Sequence, residues 1–281
     1  MKLKLFIPLL TLFFCSQICT AAKVDTLEIK SSAMNKTLKA AVSLPDSYAK
    51  SKRTYPVIYL LHGAFGKFSD WLRKTPDQNS IKALCDQHQV IIVMPEGEGF
   101  SFYIDSPVNP ASQFETFITS EVILAVDKKY RTIASKDGRA ITGLSMGGHG
   151  ALSLSAKHPE LYAAAGSMSG AVDIASGQAF ARIQPMMAPI MGTEATREAY
   201  AAHSVLDLVP RIRANSLPLI IDCGISDFLI EANRELHRRL AYEGVPHDYT
   251  ERPGAHTWEY WEAAIPYHVL FFRKVFDKAK S

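Results

Sequence analysis

Cysteine is scarce in this 281-residue chain, and half of it lies at one end. Cys15 and Cys19 fall within the first 22 residues, which leaves Cys85 and Cys223 for any folded domain. Two cysteines build neither a disulfide framework nor a Cys-rich zinc site, so both read as small buried apolar side chains. An excess of charge is missing too. The net charge is +3 and falls to +1 once Lys2 and Lys4 are set aside. That excludes a broad basic face for nucleic acid, and no acidic tail is present. There is no internal repeat, no low-complexity segment, no phosphate-binding glycine loop and no clustered set of metal ligands, so neither a metal nor a cofactor is implied.

What is present suits one large globular core, because 47% of the residues are hydrophobic and charge is moderate. The first 22 residues, MKLKLFIPLLTLFFCSQICTAA, stand apart. A basic start, an apolar middle and small residues at the end describe a secretory signal, with cleavage after Ala21 or Ala22. The apolar run is short for a membrane anchor. Phe14 before Cys15 and Ile18 before Cys19 are too large for a lipobox. The expected mature chain is therefore exported, to the periplasm or beyond, with no stable membrane anchor.

From residue 23 onward the pattern alternates. Val24–Ile29 and Leu38–Leu44 read as strands, as do YPVIYLLHG, VIIVMPEG, RAITG, Ala163–Met168, LPLIID and His247–Arg252. Helical spacing marks Ser80–His88, Phe114–Tyr130, Ala151–Lys157, Ile230–Glu243 and Trp258–Ala279. Strands that are apolar on both faces, separated by helices, predict an α/β fold: a mostly parallel central sheet with helices on both faces. Residues 170–215 break the rhythm with Pro185, Pro189 and a Met-rich patch, and read as an insertion over the sheet end within a single domain spanning 23–281.

One stretch, ITGLSMGGHGALSLSAKHPE, sets four glycines around a serine. Glycine at a helix start costs about 1 kcal/mol relative to alanine, so something other than local stability is served. GLSMG is G-x-S-x-G between a predicted strand and a predicted helix, the context in which a tight turn projects the serine, Ser145, from the carboxyl end of a sheet. A serine hydroxyl needs a base. In folds of this kind the chain order is serine, acid, histidine. Of the histidines beyond the expected acid, His237 sits in a helix beside Arg238 and Arg239 and reads as solvated. His247 begins a strand and His268 lies in the terminal helix. His256, in the loop RPGAHTWEY, is free to swing over Ser145 and is the candidate base. Two acids stand at and just after the end of the LPLIID strand, Asp222 and Asp227. Asp227, in the turn before Phe228 and Leu229, is the better candidate acid, whereas Asp222 ends the strand and can instead hold a loop. The backbone N–H groups of Met146, after the serine, and Ala64, in LLHGAFG, are the candidate oxyanion donors.

Together YLLHG, GLSMGGHGAL, CGISDFL and GAHTWEYW resemble the esterase D group of α/β-hydrolases, over roughly residues 24–278. That group includes tributyrin-type, feruloyl and acetyl-xylan esterases, S-formylglutathione hydrolases and mycolyltransferase antigens. The resemblance implies the α/β-hydrolase fold and Ser145, Asp227 and His256 as a catalytic triad. SFYIDSP resembles the tributyrin-esterase branch, which makes Tyr103 and Asp105 candidate pocket residues. Phe65, Phe68, Trp71, Phe100, Phe102, Tyr103 and Trp258 flank the predicted loops, and Phe65 and Trp258 join the pocket candidates. The expectation is an exported serine carboxylesterase cleaving short-chain or aromatic acyl esters, such as acetyl or feruloyl groups on carbohydrates, with rates falling beyond about four acyl carbons because a compact pocket cannot bury extra methylenes. An acyltransferase with the same triad, an S-formylglutathione hydrolase-like thioesterase and a non-catalytic binding protein are the alternatives. The signal sequence argues against the thioesterase and the intact triad against the binding protein.

Overall fold

The runs Val57–Leu61 (β3), Ile91–Pro95 (β4) and Arg139–Gly143 (β5) lie side by side at the centre of one eight-stranded sheet, each buried along its whole length. The computed structural model describes residues 23–279. The predicted secretory signal lies outside them, as do Cys15 and Cys19. Completing the sheet are β1 (Lys23–Ser31), β2 (Lys36–Leu44), β6 (Ala164–Met168), β7 (Leu219–Gly224) and β8 (His247–Arg252). The order is β1-β2-β4-β3-β5-β6-β7-β8. β1 and β2 pair antiparallel, β2 runs antiparallel to β4, and every remaining pair is parallel.

The principal helices are α1 (Ser80–His88), α2 (114–129), α3 (Met146–Lys157), α4 (Gly177–Met191), α5 (Ile230–Tyr242) and α6 (Trp258–Lys278). Alternate residues of β3 explain why they cover both faces. Val57, Tyr59 and Leu61 point into the layer that holds Leu152 of α3 and Leu236 of α5. Ile58 and Leu60 point into the layer that holds Ile81 of α1 and Phe272 of α6. A strand with period two and apolar residues at every position must be roofed on both sides. None of the helices among the described residues is long and apolar enough to cross a membrane.

One expectation needs correction. The predicted helix at 114–130 is not uniformly α: Phe117–Val122 is π-wound, which brings Phe117 and Val122, five residues apart, onto the same buried side. Residues 170–215 are largely helical. Pro185 and Pro189 sit inside α4 without ending it, and Met187 and Met191 of that helix join the core. Cys85 and Cys223 are buried and unpaired, and burial pushes both thiols up to about 12, which makes them poor nucleophiles.

A charged cluster fastens the 170–215 segment to the body. Glu115 accepts from Lys157 (2.7 Å) and from His158 (2.9 Å), and Lys157 in turn reaches His203 (2.8 Å). Burial alone would raise the pKa of Glu115, but the hydrogen bonds from His158 and Lys157 outweigh it and bring it down to about 2 from 4.5. Its folded pKa lies below its unfolded one, so between the two the unfolded chain binds more protons and stability rises with pH. Wild-type protein should therefore lose stability as pH falls from about 4.5 to about 2. The Glu115→Gln variant should show a shallower loss over that window in denaturant titrations. Identical slopes would remove Glu115 from the account.

Candidate active site

β5 ends at Gly143 and α3 begins at Met146, and the two residues between form the turn. Ser145 adopts φ 56°, ψ −118°, a strained conformation that aims its side chain away from both elements. The turn closes only because two neighbours lack a Cβ. One added at Gly143 would lie 2.6 Å from the Gly147 carbonyl carbon, and one at Gly147 would lie 2.6 Å from the Leu61 oxygen. Close approach of the turn to the end of β3 thus explains Gly143 and Gly147, while Gly148 and Gly150 make room for Ser167 and the Tyr103 ring. The Ser145 N–H donates to the Met168 oxygen (2.9 Å), and its own carbonyl accepts from Ala171 (3.1 Å) and His149 (3.0 Å).

Three loops at the carboxyl ends of β5, β7 and β8 bring the predicted partners together. The Ser145 hydroxyl meets His256 Nε2 at 2.9 Å, and His256 Nδ1 meets Asp227 Oδ2 at 2.8 Å. The other carboxylate oxygen of Asp227 accepts the Leu229 N–H at 2.9 Å. Burial would raise the pKa of Asp227, which is 2% exposed, but His256 and Leu229 outweigh it and hold the carboxyl below its ordinary value. The His256 ring is braced by Phe228 and Trp261, with centroids 4.6 and 4.9 Å away.

Asp222 is committed elsewhere. It is buried in β7 and accepts hydrogen bonds from the Arg252 guanidinium and the Tyr260 hydroxyl. The histidines set aside in the sequence are also accounted for. His268 is buried against the Thr142 hydroxyl at 2.9 Å, and burial lowers its pKa to about 3. His237 is not solvated as expected: it is half-buried, bonded to His247 at 2.8 Å and stacked on Tyr249.

Met146 is the first residue of α3, so its N–H has no acceptor one turn back. Ala64 follows Gly63 at the end of β3, and both Ala64 and Met146 line a cavity of about 810 Å³ shared with Ser145 and His256. His62 is buried beneath this loop. Its Nδ1–H donates to the Gly63 carbonyl at 2.8 Å, its Nε2 lies 2.8 Å from the Gly97 N and 3.2 Å from a Glu96 carboxylate oxygen, and the Tyr103 hydroxyl donates to its carbonyl at 2.9 Å.

The pocket candidates divide. Trp258 lines the cavity. Tyr103 does not: it is fully buried and anchors the β3 loop from behind. Asp105 does not either. Its carboxylate accepts the Thr116 N–H (2.9 Å) and hydroxyl (2.5 Å) and so fixes the start of α2. Phe65 is 69% exposed outside the cavity wall and stacks on Phe100, which does line it. Of the other flanking aromatics, Phe102 lines the cavity while Trp71 is core, its indole N–H donating to the Leu61 oxygen. Sequence reasoning missed the wall that α4 supplies. Ala179, Arg182, Ile183 and Met186 recur at helical spacing, a signal that the two prolines obscured.

A sheet of this order, with a serine on the turn after its fifth strand and a histidine and carboxylate delivered from the loops after the eighth and seventh, defines an α/β-hydrolase. The model of the Esterase family matches residues 31–272, and the chain belongs to that family. An esterase of Mycobacterium tuberculosis is 31% identical over 243 residues, 77% of this chain and 52% of that one, so the chain spans about half the length of this relative. The acetyl esterase of Caldicellulosiruptor saccharolyticus is 29% identical over 237 residues, 78% of this chain and 84% of its own. A solved ferulic acid esterase structure superposes with a TM-score of 0.77 at 30% identity, covering 91% of this chain and 98% of that chain.

Proposed function

We propose that the chain is an exported serine carboxylesterase, a single catalytic domain in which Ser145, His256 and Asp227 form the triad and the Met146 and Ala64 N–H groups form the oxyanion hole. The observation that carries this reading is the continuous hydrogen-bonded chain from Ser145 through His256 to Asp227, at the wall of a cavity large enough for a substrate. The Ser145 hydroxyl loses its proton to His256 Nε2 as its oxygen attacks the ester carbonyl carbon. Asp227 keeps the imidazole in the Nδ1–H form and stabilises it once protonated, without taking the proton itself. The tetrahedral oxyanion is held by the two N–H groups. It collapses to an acyl-serine while His256 protonates the departing alcohol. Water then repeats the sequence, releases the acid and restores the hydroxyl. A sugar hydroxyl in place of water would make the same acyl-enzyme a transferase. Export rests on the pattern of the first 22 residues.

In this reading His62 is a positioning residue. The Gly63 carbonyl and the Ala64 N–H belong to one peptide group. A donor on that carbonyl both orients the peptide and polarises its N–H toward the oxyanion. Losing an oxyanion donor outright costs about 10²–10³ in kcat, and losing its orientation should cost less. The expected result for His62→Phe is a fall of about tenfold or more in kcat with little change in KM. His62→Asn, whose amide N–H can occupy the Nδ1 position, should recover part of it. A change confined to KM would remove His62 from this role.

The substrate class is aromatic or short acyl esters of carbohydrates. The acetyl esterase and ferulic acid esterase likenesses support it, together with Phe100, Phe102 and Trp258 in the cavity wall, whose rings can stack on a sugar or a feruloyl group. The cavity has to hold the acyl and the alcohol parts of the ester together. About 810 Å³ lies in the upper range for ligand sites, so a steep fall beyond four acyl carbons does not follow from volume. The expected outcome is instead that methyl ferulate and feruloylated arabinose are turned over with higher kcat/KM than the matching acetates. A graded panel of nitrophenyl, feruloyl and acetyl-xylan esters tests this. Activity on long-chain acyl esters only would overturn the carbohydrate-ester reading.

A further inference from the structure

Helix α4 turns Ala179, Arg182, Ile183 and Met186 toward the cavity that holds Ser145 and His256, and Arg182 is the one charge in that stripe. The helix carries no carboxylate. The positions three and four residues away hold Gln178, Ala179, Pro185 and Met186, so Arg182 has no ion partner on its own helix. The other charges of the wall are matched. Lys74 pairs with Asp70 at 2.8 Å, Arg239 with Glu235 at 2.8 Å, and Glu231 with Arg234 at 2.7 Å. The Asp173 carboxylate accepts the Ala175 (3.2 Å) and Ser176 (2.9 Å) N–H groups and the Ser176 hydroxyl, beside the N-terminus of α4, where the helix dipole favours an anion. Among the described residues, Arg182 is thus the cation of this wall left without a carboxylate. A guanidinium in that position presents a planar fork of donors that fits a carboxylate through two parallel hydrogen bonds.

We propose that Arg182 is a specificity-determining residue and that the preferred substrates are esters bearing a carboxylate, on either the acyl or the alcohol part. The proposal rests on reading the Ser145 site as an esterase. With the net charge of the chain close to zero, the preference comes from this one group rather than from a field over the whole surface.

Two matched pairs of substrates distinguish the possible sources of the carboxylate. For the acyl part, 4-nitrophenyl adipate is compared with 4-nitrophenyl heptanoate; for the alcohol part, O-acetyl glucuronate with O-acetyl glucose. Arg182 is exposed at the cavity rim, so wild-type protein should favour the charged member of one pair by up to about fivefold in kcat/KM, through KM, the size of an exposed ion pair. Added salt should reduce that preference. Arg182→Gln should abolish the preference, its loss in kcat/KM on the charged member exceeding any change on the neutral member, and Arg182→Lys should keep part of it. No preference in either pair, a preference that survives Arg182→Gln, or an equal loss on neutral substrates would overturn the proposal. Ser145→Ala reads the esterase assignment separately: turnover that survives it overturns that assignment, whatever Arg182 does.

Discussion

If Ser145 is the nucleophile proposed above, the Ser145→Ala variant is expected to lose about 10⁶ in kcat on an activated ester while folding normally, because removing a triad nucleophile costs as much as removing the triad. The size follows from the geometry. The hydroxyl stands 2.9 Å from His256, the base proposed to accept its proton, and the buried thiols are held up to about 12 and offer no substitute. KM should change little, since alanine leaves the cavity wall intact. Residual turnover above the uncatalysed rate would come from the Met146 and Ala64 N–H groups acting on a water molecule. A variant within tenfold of wild type would mean that another group carries the acyl transfer.

The second large effect separates two carboxylates that sit five residues apart. Asp227→Asn should lower kcat by about 10⁴, because an amide facing His256 Nδ1 favours the wrong tautomer of the ring. Stability should change far less. Asp222→Asn should do the reverse. Its carboxylate is buried with Arg252 and Tyr260, and removing the negative charge leaves a partly buried guanidinium unpaired, a loss on the order of 3 kcal/mol. Thermal unfolding together with kcat on the same preparations decides between them. A crippled Asp222→Asn of normal stability beside a nearly normal Asp227→Asn would reverse the assignment.

The strands at 57–61, 91–95 and 139–143 were legible because each is a short, largely apolar run that ends at or just before a glycine. The serine turn was legible for a related reason: four glycines near one helix start have a local cost that only close packing repays, and the packing is against Leu61 of β3 at Gly143 and Gly147, against Ser167 of β6 at Gly148 and against Tyr103 at Gly150. His256 and Asp227 stood out by their place in loops after predicted strands. What stayed hidden depended on contacts between distant segments. Nothing local distinguishes Tyr103 lining a pocket from Tyr103 reaching behind β3 to the His62 carbonyl. Asp105 shows the same limit, since its two hydrogen bonds to Thr116 span eleven residues. The wall formed by α4 was missed because Pro185 and Pro189 argue against a helix, and tertiary packing of Met187 and Met191 overrides that local penalty.

The measurement that bears most directly on the central claim is covalent labelling. Protein treated with a fluorophosphonate, digested and mapped by mass spectrometry should carry a single adduct on Ser145, formed rapidly in the wild type and lost in Asp227→Asn and His256→Ala, where the hydroxyl is no longer activated. An adduct on any other residue, or labelling of Ser145 at the same rate in all three proteins, would contradict the account.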